Sequence, residues 1–147
     1  MKSEPSTFSI DKLIKLKNQT TPWDGVRNYQ ARNNLKAMKK GEWAFFYHSS
    51  CEIPGIVGLV EITEEAYPDP SAFDPKSQYY DPKSTPENPR WFMVNVTFRE
   101  KFEQPITLAE LKKNLTLASM ALVQKGNRLS VLRITADHSK TILAMIQ

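Results

Sequence analysis

The pattern of apolar residues along the chain predicts three main β-strands. Trp43 to His48 is rich in aromatic residues, and Ile56 to Ile62 is rich in β-branched ones. Between Trp91 and Phe98, apolar side chains recur at every second position, so that one face of the strand is continuous and apolar. Leu129 to Ile134 is a shorter strand candidate, and Lys2 marks the end of a candidate first strand.

Four other segments have the spacing and end signals of helices. Ser9 and Thr107 precede two of them, and their hydroxyls are suited to cap the free backbone amides of a first turn. The predicted helices are Ile10 to Leu16, Tyr29 to Met38, Leu108 to Asn114 and Asp137 to Ile146. Strands with helices between them indicate an α+β domain, built as a small curled mixed sheet or open barrel.

The segment from Tyr67 to Pro89 contains six prolines. Proline lacks an amide donor and fixes φ, so this segment predicts neither a helix nor a central strand. We expect a long surface loop, either disordered or forming one wall of a pocket. Because strand-like sequence stands on both sides of it, the loop interrupts one domain and does not separate two.

Composition sets the size and class of the protein. With 147 residues and 40% hydrophobic content, the chain can build one core, and we expect a single domain over residues 1–147. No apolar run reaches the roughly 20 residues that span a bilayer, and the first residues do not resemble a secretory signal. We therefore expect an intracellular protein without membrane contact, cytoplasmic if bacterial and nuclear if eukaryotic. One cysteine and two histidines exclude an internal disulfide and a Cys/His zinc cluster, so neither metal nor cofactor is expected.

Charge is segregated along the chain. Residues 1–48 carry nine Lys/Arg against four Asp/Glu, whereas residues 49–98 carry three against eight. Such segregation is typical of a surface with one basic face, which favours a polyanionic partner.

An enzymatic interpretation starts from His48, which is followed by Ser49, Ser50 and Cys51. A nucleophile needs a base within hydrogen-bond reach, and residues adjacent on a strand and loop do not meet that need by adjacency alone. The sequence contains no nucleophile elbow, HExxH, phosphate-binding loop or dinucleotide fingerprint. A small hydrolase or nuclease using His48 as acid or base is the less favoured hypothesis.

A binding interpretation starts from the segment Pro22 to Asn33, which precedes a predicted helix. Trp23 and Tyr29 offer flat aromatic faces on which a nucleobase can stack. Arg27 and Arg32 can hold phosphate. The alternative for Trp23 is a core position at the top of the helix. At the end of an aromatic strand, Tyr47, His48 and Ser49 form a second candidate wall, although Tyr47 and His48 point to opposite faces of a regular strand.

Several longer motifs, in this order, resemble the EVE domain family across nearly the whole chain. They are Lys2 to Pro5, Trp23 to Asn33, Phe45 to Ser49, Pro54 to Gly58, Glu65 to Asp69, Tyr80 to Pro82, Asn88 to Trp91 and Arg128 to Ser130. The resemblance implies a PUA-like pseudo-barrel surrounded by helices and related to the PUA, ASCH and YTH domains. It also implies recognition of a modified base, most specifically a modified cytosine in DNA.

The same resemblance implies particular site residues. By similarity to the aromatic cage of YTH domains, Ser3 and Trp23 are expected to contact the base. Asn28, Tyr29, Tyr47, His48 and Arg128 are further candidates from their places in the EVE-like motifs. The leading hypothesis is thus a monomeric, non-catalytic reader of a modified base in an aromatic, basic pocket. An RNA-binding module like those of PUA and ASCH relatives is the main alternative.

Overall fold

A computed structural model describes residues 1–146, which form a five-stranded mixed sheet and four α-helices. The strands are β1 (Lys2–Ser3), β2 (Thr20–Pro22), β3 (Trp43–His48), β4 (Gly55–Pro68) and β5 (Phe92–Thr107). The helices are α1 (Ile10–Lys15), α2 (Tyr29–Ala37), α3 (Leu108–Lys113) and α4 (Ala136–Ala144). Short 3-10 turns occur at Lys17–Gln19, Pro70–Ala72, Leu115–Leu117 and Ala121–Val123.

The strand order in the sheet is β1-β3-β4-β5-β2. The β1–β3 pair is parallel, and every other neighbouring pair is antiparallel. The two longest strands, β4 and β5, lie in the middle, and their pairing shifts register at four places. Register shifts of this kind bend a strand and increase its twist. The bent central strands can therefore pair with both outer parts of the sheet: β4 pairs with β3, and β5 pairs with β2.

Both faces of the sheet are buried, and β3 shows how. Alternate side chains of a strand point to opposite faces, so Phe46 enters one apolar cluster while Phe45 and Tyr47 enter another. The first cluster packs residues of α1 and α2 against the sheet, and the second packs residues of α3 and α4. The sheet thus lies between two helical layers, which explains why β3 is apolar at nearly every position.

The α+β prediction is confirmed, and β3 has the predicted bounds. The strands predicted at Ile56 to Ile62 and Trp91 to Phe98 exist but are longer, because the two continue to pair beyond their apolar stretches. The four predicted helices are present with ends within a few residues of the predictions.

Two predictions about strands were wrong. Leu129 to Ile134 is not a strand: the amide of Lys2 donates to the carbonyl of Ser130 (2.8 Å), but no ladder follows. The short edge strand β2 was missed, because three residues ending in proline carry too little pattern to predict a strand.

The proline-rich segment is ordered around buried polar residues. After β4 ends at Pro68, Asp69, Ala72 and Ser84 are buried along its length. Asp69 and Ser84 both accept hydrogen bonds there, so the segment is held by polar contacts as well as packing.

Within residues 1–146, no helix is long enough and apolar enough to cross a bilayer.

Gly58 provides a test of how closely the central strands approach. A Cβ atom at this position of β4 would overlap the carbonyl oxygen of Glu100 on β5 and the Cδ1 atom of Ile10 on α1. We predict that Gly58→Ala lowers the free energy of unfolding by roughly 1–3 kcal/mol, the usual cost of overpacking a tight interior. Urea unfolding followed by circular dichroism measures the change. A variant as stable as the wild type would mean that β4 and β5 do not approach this closely.

Candidate functional site

A cleft of about 610 Å³ lies where four separate parts of the chain meet. We call it the Trp23 cleft. Its lining consists of Lys2, Ser3, Glu4, Thr7, Phe8, residues 21–27, Gln78, Tyr79 and Ser130. Its volume falls within the roughly 300–1,000 Å³ typical of ligand pockets.

Trp23 belongs both to the core and to the cleft. Its amide donates to the carbonyl of Val94 (2.7 Å), and its ring packs edge-on against Phe46 with centroids 5.4 Å apart. Only 8% of the residue is exposed, yet it lines the cleft. Trp23 is therefore a core residue that also contributes to the cleft lining, and its contact with a base stays a prediction.

A buried carboxylate attaches the proline-rich segment to the Trp23 segment. Asp69 is fully buried, and its Oδ2 accepts hydrogen bonds from the amide of Gly25 (2.9 Å) and from Nη1 of Arg27 (3.1 Å). Its Oδ1 accepts from the amide and the hydroxyl of Ser71. Burial would raise the pKa of Asp69, but the hydrogen bonds from Ser71, Gly25 and Arg27 outweigh it and lower that pKa overall. The carboxylate is thus held charged, which suits a fixed ion pair.

Arg27 completes this attachment. Its Nε donates to the carbonyl of Tyr79 (2.9 Å), and its Nη2 donates to the hydroxyl of Ser71 (3.1 Å). With Nη1 bonded to Asp69 and to the carbonyl of Val26, every guanidinium nitrogen has a partner. The predicted phosphate-binding arginine is therefore in the cleft, but its donors already hold the cleft wall together.

Tyr79 forms the wall opposite the Trp23 segment and packs on Gly25. Gly25 has φ +77°, a conformation that side-chain-bearing residues rarely adopt, and a Cβ there would lie 2.6 Å from the Tyr79 ring. The expectation that the proline-rich segment forms a pocket wall is confirmed. The individual residue Tyr79 was not foreseen, because only the long-range contact with Gly25 distinguishes it from Tyr80.

Polar groups of the cleft are mixed in charge. Ser3 donates its hydroxyl hydrogen to the carbonyl of Phe8 (2.6 Å). The lining includes the cations Lys2 and Arg27 together with the carboxylates Glu4 and Asp24. The sequence suggested a basic pocket, whereas the lining is mixed in charge. Partial burial, and then the charge of Asp69, raise the pKa of Asp24. Asp24 was not among the predicted site residues.

Three predicted residues lie on α2 and outside the cleft. Asn28 is the N-cap, and its Oδ1 accepts from the amide of Ala31 (3.0 Å). The ring of Tyr29 is stacked on Trp91, with centroids 4.7 Å apart. The Arg32 guanidinium lies 4.8 Å from the centroid of the Tyr29 ring. Tyr29 is half exposed, but these contacts occupy its ring faces. Arg32 also donates to the carbonyl of Arg90 (3.0 Å).

The second predicted wall does not join the cleft. Tyr47 enters the core cluster on the opposite face of the sheet from Trp23. His48 lies on the Phe46 side, and its Nε2 accepts a hydrogen bond from the amide of Ile10 (3.1 Å) at the start of α1. Ser49 donates its amide to the carbonyl of Ser3 (3.0 Å). Arg128 is exposed two residues before Ser130, the cleft residue of that segment.

The site contains no evident metal centre. Among residues 1–146, no three His, Cys, Asp or Glu side chains are grouped so that they could hold a metal ion. The hydrogen bond from Ile10 occupies Nε2, one of the two ring nitrogens of His48.

Comparison with known proteins gives consistent matches over almost the whole chain. A family model described as EVE domain matches residues 1–145. Thymocyte nuclear protein 1 from Homo sapiens is 45% identical over 162 residues, covering 99% of this chain and 72% of that protein. The protein of the same name from Danio rerio is 46% identical, covering 99% of this chain and 70% of that protein.

Solved structures share both sequence and fold with the chain. A protein from Pseudomonas syringae is 49% identical with a TM-score of 0.93, covering 99% of this chain and 96% of that one. Human THYN1, crystallised in complex with DNA containing 5-methylcytosine, is 45% identical with a TM-score of 0.94, covering 99% of this chain and 94% of that one.

The buried environment of His48 predicts a pH dependence of stability. Burial lowers the pKa of His48, with the Asp11 carboxylate partly opposing this effect. The unfolded chain, with an ordinary pKa near 6.5, then binds the proton more tightly than the folded chain. The stabilising contribution is therefore complete above about pH 6.5 and is lost as the pH falls through the folded-state pKa.

We predict that the free energy of unfolding falls between pH 7.5 and 5.5, and that it falls less in His48→Gln, whose amide oxygen can still accept from Ile10. Urea titrations at several pH values measure both. Burial, and then the charge of the neighbouring Lys2, lower the pKa of the Met1 amino group to about 5. This group titrates in both proteins, so its effect cancels in the difference between them. Parallel curves for the two proteins would contradict the assignment.

Proposed function

The chain belongs to the EVE domain family, and from that membership we propose that it is a binding domain that recognises a modified cytosine in DNA without changing it chemically. A relative of nearly the same fold, human THYN1, forms a complex with DNA containing 5-methylcytosine. The observation that carries the proposal is the Trp23 cleft, a ligand-sized hollow with a rigidly supported indole in its wall.

The proposed mode of binding places one base in the cleft. A base inside a duplex is not accessible to such a hollow, so the nucleotide would be turned out of the stack or taken from a single strand. The indole of Trp23 supplies a stacking surface, and stacking on an aromatic side chain contributes about 1–3 kcal/mol per base. Ser3 and Asp24 supply polar contacts beside the indole. Arg27 keeps Tyr79 in place as the facing wall.

The remaining predicted residues receive outer roles in this proposal. Arg32 and Arg128 are cations at the surface, suited to phosphates on either side of the bound nucleotide. Asn28 and Tyr29 support the start of α2, and His48 supports the start of α1. Tyr47 and Ser49 contribute to the position of β1, which carries Ser3.

Binding without catalysis is the interpretation that the polar groups favour. The histidine of the hydrolase hypothesis has its Nε2 engaged with Ile10. We further propose a single PUA-like domain over residues 1–147 that acts as an intracellular monomer without metal or cofactor, in the nucleus where the cell has one. The relatives named as nuclear proteins support the last point.

Trp23→Phe tests the proposal without emptying the core, since the smaller ring still packs on Phe46. We predict that wild-type protein binds an oligonucleotide with one 5-methylcytosine more tightly than the same oligonucleotide with cytosine. Trp23→Phe should weaken the first interaction roughly fivefold or more, because part of the stacking surface is lost. Fluorescence anisotropy with labelled oligonucleotides measures both.

Trp43→Phe is the matched control. Trp43 is 55% exposed and lines a separate hollow, so its replacement should leave affinity unchanged. An RNA oligonucleotide of the same sequence and modification provides the other arm. Equal affinity for methylated and unmethylated DNA would refute the proposal, and tighter binding to RNA would favour the alternative partner.

A further inference from the structure

Two side chains of the Trp23 cleft, Ser3 and Asp24, offer hydrogen-bond acceptors to a ligand. The Ser3 hydroxyl donates its only hydrogen to the carbonyl of Phe8, so its oxygen can act only as an acceptor toward a ligand. Asp24 lines the cleft and is acceptor-only when ionised. An acceptor next to the indole is therefore ready for a donor that a ligand brings.

The two cations of the lining already contact other groups. Arg27 has all its guanidinium nitrogens engaged with Tyr79, Ser71, Asp69 and Val26. The Lys2 ammonium lies 5.9 Å from the centroid of the Tyr47 ring, whose side chain packs on the face of the sheet opposite Trp23. Arg27 is thus paired with Asp69 and not with Asp24.

A hydrogen-bond acceptor in the cleft can separate two bases of nearly the same shape. 5-Methylcytosine and thymine carry the same methyl group at position 5. At position 4, however, cytosine has an amino group that donates, whereas thymine has an oxygen that accepts. An aromatic wall and a space for the methyl group accept either base, so discrimination between them has to come from a polar group.

Resting on the proposed function, we infer that Asp24 is the specificity-determining residue of the cleft, accepting the 4-amino group of a cytosine base and so rejecting thymine. It follows Trp23 directly in the chain, and both residues line the cleft. The residue is accessible to solvent, and desolvation of its carboxyl group, followed by the charge of Asp69, raises its pKa. A hydrogen-bond donor from the ligand would replace the missing hydration.

Asp24→Asn tests the inference at constant size. The amide can either accept or donate, so it has no reason to prefer an amino group to an oxygen. The oligonucleotides differ only at one position, which carries 5-methylcytosine, cytosine or thymine. For the wild type we expect roughly tenfold or greater preference for 5-methylcytosine over thymine, the range of one good base-specific contact. In Asp24→Asn, that ratio should fall toward one, with weaker binding to 5-methylcytosine and stronger binding to thymine.

Glu103→Gln is the matched control for charge. Glu103 is exposed on β5 away from the cleft, and its replacement removes the same single negative charge. It should change all three affinities by one common factor and leave the ratio at its wild-type value. Thermal unfolding of both variants checks that the fold is retained.

The outcomes separate this inference from the function on which it rests. If the wild type prefers methylated over unmethylated DNA but Asp24→Asn keeps the 5-methylcytosine-to-thymine ratio, Asp24 is not the discriminating residue. A uniform loss of binding in Asp24→Asn also overturns the inference, since it would mean that Asp24 only shapes the cleft. If the wild type shows no preference for the methylated DNA, the proposed function itself fails.

Discussion

The site depends on one buried ionic contact, the Asp69 carboxylate held by the amide of Gly25 and the guanidinium of Arg27. A fully buried carboxylate without partners would be strongly unfavourable, so these hydrogen bonds are what permit it to remain charged. Because Gly25 and Arg27 flank the turn after Trp23, the contact fixes the tryptophan segment and the proline-rich segment relative to each other. The hollow between them is a consequence of that geometry.

The rest of the fold supports this arrangement from behind. Phe46 on β3 packs against the indole ring, and the carbonyl of Val94 on β5 accepts a hydrogen bond from the Trp23 amide, so two strands of the sheet position this residue. The proline-rich segment brings Tyr79 to the opposite side. A preorganised cleft of this kind loses little conformational entropy when a ligand enters, which favours recognition by small differences in the base.

The sequence allowed prediction of those elements that have a repeating pattern. Strand β3 and the four helices follow from apolar spacing and capping residues, and the EVE-like motifs indicated the family. The cleft was only partly predictable: Ser3, Trp23 and Arg27 came from the motifs, but Asp24, Asp69 and Tyr79 did not. Asp69 and Tyr79 depend on contacts with Gly25 and Arg27, 44 and 52 positions away along the chain, for which no local periodicity exists. For the same reason, the hydrogen-bond partners of Arg27 and the stacking of Tyr29 on Trp91 could not be foreseen.

The central claim is that a base enters the cleft beside Trp23. The chain contains three tryptophans, so its two-dimensional ¹H–¹⁵N spectrum should show three indole N–H signals, which Trp→Phe variants would assign. On addition of an oligonucleotide containing 5-methylcytosine, the account predicts a large shift of the Trp23 signal and little change at the exposed Trp43. An unshifted Trp23 signal at saturating oligonucleotide would contradict the account.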